Sequence, residues 1–151
     1  MRIVVVEDEA PIREGMAKLL SKINPEYELV GKAADGEAGY QLIRELNPDL
    51  VIMDIRMPKM DGIAMMKKLR EENIKCKAII LSAYSEFQYA QKAIELKADS
   101  YLLKPIKIPE LKSALKQAER EISEDQGTEQ IFSVEILCWP VCMVRCARIH
   151  N

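Results

Sequence analysis

The sequence predicts an α/β protein in which a parallel sheet is covered by helices on both faces, and three observations carry that prediction. Short apolar runs with the length and flanks of buried strands recur five times. Between them the apolar spacing changes to the helical period. The two patterns alternate strictly from the N-terminus to about residue 122, and strict alternation is the signature of a parallel sheet built from crossover units.

Taken in order, the first strand is Ile3–Val6, and the helix after it places Ile12, Met16, Leu19, Leu20 and Ile23 on one face, with Pro11 suited to a first helical turn. A weaker run at Tyr27–Val30 predicts the second strand. Asp35-Gly36 opens the second helix (Ala38, Leu42, Ile43, Leu46), and Asn47-Pro48 closes it. Leu50–Met53 is the third strand, and Asp61-Gly62 opens a helix with Ile63, Met66 and Leu69 inward. Ala78–Leu81 is the fourth strand, followed by a helix whose apolar face is Ala90, Ala93 and Ile94. Tyr101–Leu103 is the fifth, and Ile108-Pro109 starts a last helix with Leu111, Leu115, Ala118 and Ile122 inward.

At 151 residues the chain has the length of one domain with appendages. Its formal charge of -2 gives no overall basic field, so composition offers no support for nucleic-acid binding by this chain itself. The N-terminal apolar run of four residues ends in two acids, which excludes a secretory core or a membrane span. Cys76 is alone up to residue 130 and forms no disulfide within that segment, so a cytoplasmic location is expected. Residues 1–122 form the predicted domain, and 123–130 (Ser-Glu-Asp-Gln-Gly-Thr-Glu-Gln) read as a polar linker or frayed helix end. Residues 131–151 carry neither period and expose Phe132 and Trp139, which fits an out-of-frame or vector-derived extension. Cys138, Cys142, Cys146 and His150 recur every fourth residue in that tail. On a helix they would span about 18 Å, too far for one ion, and Pro140 would break the helix.

In an open parallel sheet the ligand crevice lies at the carboxyl ends of the strands. There the first strand runs into Glu7-Asp8, the third into Asp54, the fourth into Ser82 and the fifth into Lys104-Pro105. Singly, each has a bland reading: an acid after a strand is often a helix N-cap, and a lysine before proline a solvated loop residue. Together they converge, because clustered carboxylates repel one another and seldom persist without a neutralising cation. Hard oxygen ligands on a shallow rim suit Mg²⁺ better than zinc.

Glu7-Asp8, Asp54 within Val51-Ile52-Met53-Asp54-Ile55-Arg56-Met57-Pro58-Lys59-Met60-Asp61-Gly62, Ser82-Ala83, and Tyr101-Leu102-Leu103-Lys104-Pro105 together resemble the receiver domain of two-component response regulators in order and spacing. The resemblance implies a flavodoxin-like (βα)5 three-layer sandwich of strand order 2-1-3-4-5. It implies that Asp54 accepts a phosphoryl group from a sensor histidine kinase. It also implies that Asp8, Asp54 and the backbone carbonyl of Arg56 bind Mg²⁺ with Glu7 acting mostly through water, and that Lys104 pairs with Asp54 and then with a phosphoryl oxygen. Pro105 would follow a cis peptide bond. Ser82 and Tyr101 would be the switch pair, although serine stands where threonine is commoner. Arg56 and Tyr84 would border the phosphoryl group and slow its hydrolysis by crowding the in-line water.

Signal would leave through the surface of the fourth helix, fifth strand and fifth helix, which would also form a homodimer. The stretches Ser82–Ala90 and Ala98–Pro105 look most like receivers joined to an AraC-type helix-turn-helix output, so DNA would be reached only through an output domain missing from this chain. The alternatives are a stand-alone receiver that binds a target protein and a phosphatase using the same acids, for which no separate base or lid is visible.

Overall fold

The structure, a computed structural model, describes residues 1–83 and 87–124, and the side chains of residues 87–90 are not described. Tyr84, residues 125–130 of the expected linker, the tail 131–151 and its Cys/His stripe lie outside the described residues. The chain divides into two units, Met1–Ala118 and Glu119–Asn151.

The elements are β1 (Arg2–Val6), α1 (Ala10–Ile23), β2 (Glu28–Ala33), α2 (Gly36–Leu46), β3 (Leu50–Asp54), α3 (Gly62–Glu71), β4 (Lys77–Ser82), α4 (Phe87–Glu95) and β5 (Ser100–Leu103). A final helix, α5, covers residues 108–124 of those described. All pairings are parallel, in the order β2-β1-β3-β4-β5. The expected architecture and strand order are both observed.

The unbroken apolar strands are explained by two cores. Successive side chains point to opposite faces. Accordingly Ile3, Val5, Leu50, Ile52, Ile79 and Leu81 join Met16 and Leu20 of α1 and Leu111, Leu115 and Ala118 of α5. Val4, Val6, Val51, Met53, Ala78 and Ile80 join Tyr40 and Ile43 of α2, Met65, Met66 and Leu69 of α3, and Ala93 of α4. With both faces covered, no strand position needs a polar residue until its carboxyl end. The helix starts also follow the sequence: Asp35 accepts the Ala38 N–H at 2.8 Å, Asp61 accepts the Ala64 N–H at 2.7 Å, and Pro11 lies in the first turn of α1.

Three boundaries and faces differ from expectation. The second strand was placed at Tyr27–Val30, but β2 runs Glu28–Ala33. Its register slips by one residue, Ile3 pairing Leu29 and Val4 pairing Gly31, and Gly-Lys hides the strand's second half from an apolar pattern. Ile94, assigned to the inner face of the fourth helix, is 76% exposed. Ser123 and Glu124, expected at the start of the linker, are helical.

Arg70 at the end of α3 donates to the carbonyls of Leu96 at 3.1 Å and Ile74 at 3.0 Å, tying the exit of α4 to α3. No helix among the described residues is long and apolar enough to cross a membrane.

Candidate functional site

Parallel register decides which strand ends meet. Val6 pairs with Met53, Asp54 with Leu81, and Ser82 with Leu103, so the next residue or the pair itself delivers Glu7, Asp54, Ser82 and Lys104 to one edge. Glu7, Asp54 and Ser82 are the buried polar residues of the described chain, at 2%, 7% and 0% exposure. A buried acid is costly unless it is paired, and here the pairing is explicit. The Lys104 ammonium lies 3.0 Å from Glu7 Oε2 and 3.0 Å from Asp54 Oδ2. Asp54 Oδ1 also accepts the Ile55 N–H at 2.7 Å. The Lys104–Pro105 bond is cis, as expected, and the Lys104 N–H donates to the Ser82 carbonyl at 2.8 Å, which sets the lysine backbone against β4.

One ammonium therefore serves two buried carboxylates, and the shortfall falls on Glu7. Burial pushes its carboxyl up to about 7; the hydrogen bond from Lys104 works against that, and the neighbouring Asp54 charge adds to it. For Lys104, burial alone would weaken the ammonium, but its bonds to Asp54 and Glu7 prevail and hold it above its ordinary value.

Glu7, Asp8 and Glu9 present carboxylate oxygens that all lie within 4.8 Å of one another, with Asp8 and Glu9 exposed. This all-oxygen donor set fits a hard divalent cation and offers nothing to a thiophilic one. Of the expected ligands, the structure gathers Glu7 with Asp8 and sets Asp54 against Lys104. Arg56 is exposed in the loop after β3. Glu9 was missed in the sequence, although the unbroken acid run Glu7-Asp8-Glu9 was its signal. Tyr101 is half-buried against the α2–α3–α4 core, and Ser82 is fully enclosed at the end of β4.

Glu7 provides a pH test. Its folded carboxyl holds a proton to about 7 against 4.5 ordinarily, so its contribution is full in acid and is lost as pH climbs through about 7. In EDTA at pH 8, Glu7→Gln should therefore melt a few degrees above wild type, and the gap should close toward pH 5. A lower melting temperature at pH 8 would show that Lys104 already compensates both acids.

The sequence profile described as the response regulator receiver domain matches residues 3–116. The chain is 34% identical over 116 residues to the nitrate/nitrite response regulator protein NarL of Escherichia coli K12, covering 77% of this chain and 53% of that protein. It is 36% identical over 129 residues to the transcriptional regulatory protein PdtaR of Mycobacterium tuberculosis, covering 83% and 62%. The chain thus spans between half and two thirds of the length of these curated relatives. Among solved structures, the receiver domain of AraT, a response regulator from Geobacillus stearothermophilus, superposes with a TM-score of 0.74 at 35% identity, covering 83% of this chain and 97% of that one. Five parallel strands in this order, acids and a lysine at their carboxyl edge, and a profile match over most of its length establish that the chain belongs to the response regulator receiver domain family.

Proposed function

We propose that the chain accepts a phosphoryl group on Asp54 from a sensor histidine kinase and reports it through its surface. The observation that supports this most directly is the Lys104 ammonium 3.0 Å from Asp54 Oδ2, beside a cluster of acids. In the reaction an Asp54 oxygen forms a bond to phosphorus as the phosphorus–nitrogen bond of a phosphohistidine breaks, and the imidazole leaves with the electron pair and takes up a proton. Lys104 then passes from the carboxylate to a phosphoryl oxygen, offsetting the charge spread over the equatorial oxygens. Asp8, Asp54 and the Arg56 carbonyl would hold Mg²⁺, with Glu7 acting mostly through water. When bound, Mg²⁺ supplies the remaining positive charge at the phosphoryl oxygens.

Ser82 and Tyr101 serve as the switch pair in this reading. Ile94, Leu103 and Ile108 stand 76%, 46% and 47% exposed on α4, β5 and α5, which suits a dimer surface on those elements. The receiver occupies residues 1–122, with α5 running on through Glu124, followed by a linker to residue 130 and a tail at 131–151. Transcriptional output, of the AraC type, would come from a domain outside this chain, in keeping with the greater length of its relatives.

Incubation with acetyl phosphate and Mg²⁺ should add the mass of one phosphoryl group, labile to hydroxylamine, and Asp54→Ala should gain none. A stable, hydroxylamine-sensitive group on that variant would overturn the assignment, and many turnovers of acetyl phosphate per chain would mark a phosphatase instead. Slow loss of the group is expected from the bulk of Arg56 and Tyr84, which stand two residues after Asp54 and two after Ser82 in the sequence. Arg56→Asn combined with Tyr84→Ala should shorten the phosphoryl lifetime several-fold, and an unchanged lifetime would exclude steric shielding.

A further inference from the structure

We propose that Arg13 is a positioning residue for the cation site, acting through the backbone carbonyl of Glu7; this rests on the reading of Glu7 and Asp8 as part of a Mg²⁺ site. Arg13 is half-buried at the end of the first turn of α1, and its Nη1 donates to the Glu7 carbonyl at 2.8 Å. With three carboxylates in the adjoining loop, a guanidinium would ordinarily be drawn to one of them. Among the described residues it forms no ion pair with Glu7, Asp8 or Glu9, and it binds a backbone carbonyl instead.

The carbonyl it grips is mechanically decisive. The peptide joining Glu7 to Asp8 is planar, so fixing the Glu7 oxygen also places the Asp8 N–H and Cα, the point from which its carboxylate projects. Everything else at Glu7 is already held. Its N–H donates to the Ala33 carbonyl at 3.0 Å, Oε1 accepts the Glu9 N–H at 3.3 Å, and Oε2 lies 3.0 Å from Lys104. The far end of the loop is held by the first turn of α1, where the Arg13 N–H donates to the Glu9 carbonyl at 2.9 Å. Arg13 thus holds the loop at both ends, its guanidinium on the Glu7 carbonyl and its backbone N–H on the Glu9 carbonyl.

Two opposite effects on cation binding follow from this placement, and their difference in sign makes the proposal testable. As a positive charge near the site, Arg13 repels a cation, and its removal by that effect alone would tighten binding. As the clamp of the ligand-bearing loop, it pre-orders Asp8, and its removal loosens binding, since partners that orient ligands typically matter by ten-fold or more. Calorimetric titration of the full chain with MgCl₂ measures the net result directly, without reference to phosphorylation. Arg13→Met should weaken Mg²⁺ binding roughly ten-fold. Arg13→Lys, which keeps an N–H donor and the charge, should recover part of the loss, and Arg13→Gln, the mildest change for folding, should fall between them. Melting in EDTA confirms that each variant is folded at the titration temperature.

If Arg13→Met and Arg13→Gln bind Mg²⁺ as tightly as wild type or more tightly, or if lysine restores nothing, the positioning role is overturned. If wild type itself gives no Mg²⁺ heat that Asp8→Asn abolishes, it is the assignment of the cation site that fails, and the role of Arg13 fails with it.

Discussion

Lys104→Met should destabilise the protein in EDTA at pH 8 by roughly 2–3 kcal/mol, because it strands two adjoining buried carboxylates. Lys104 is the ammonium 3.0 Å from both Glu7 and Asp54, and its side chain is 14% exposed, so solvent replaces little of it. The loss depends on pH with a definite sign. The lysine, held above its ordinary value, keeps its contribution at every pH below its own titration. Glu7 does not: without the ammonium its carboxyl, already raised to about 7, rises further. The variant should therefore approach wild type near pH 5, where Glu7 is protonated and needs no counter-charge, and fall furthest behind above pH 7. Chemical denaturation across that range measures it, and Mg²⁺ should restore part of the loss by supplying the missing charge. A variant as stable as wild type at pH 8 would mean that the two acids are solvated in solution rather than dependent on Lys104.

A comparable loss is expected from a single methyl group at either of two glycines. A Cβ on Gly62 would sit 2.3 Å from the Asp54 carbonyl oxygen and 3.2 Å from Ile55 Cα, and one on Gly36 would sit 1.9 Å from the Met60 carbonyl oxygen and 2.7 Å from its carbon. These are backbone atoms that no rotamer change can clear. The Gly62 N–H also donates to the Ile55 carbonyl at 2.7 Å, so the helix cannot back away without losing that bond. Gly62→Ala and Gly36→Ala should each cost about 2–3 kcal/mol or more, in the range of backbone-shifting overpacking. Gly15 in α1 is the control, since a Cβ there meets nothing within 4 Å. Gly15→Ala should stabilise by about 0.5–1 kcal/mol through helix propensity. Gly62→Ala should in addition slow phosphorylation, because relief of the clash displaces the backbone of Asp54 itself. Equal melting temperatures for all three alanine variants would contradict the close approaches.

The sequence by itself determined the architecture, the order of elements and most of the edge chemistry. Ile3–Val6, Leu50–Met53 and Ala78–Leu81 are apolar at every position because both faces of the sheet are covered, and Asp35 and Asp61 announce their helices through local hydrogen bonds. These signals are local, since period and capping act within a few residues. What the tertiary structure decided involves partners far apart in the chain. It paired Lys104 with Glu7 as well as Asp54, where the sequence anticipated Asp54 alone, and so placed the electrostatic burden on Glu7. It left Ile94 in solvent despite its helical spacing, because the apolar face of α4 turns Ala93 inward. It carried β2 on through Gly31 and Lys32 by pairing with β1 rather than by hydrophobicity. It also set Arg13 on a carbonyl and brought the Gly62 backbone so close to Asp54 that a Cβ has no room. Hydrogen-bond partners, shared charges and close approaches depend on register and distance between segments, which leave no periodic trace in either segment alone.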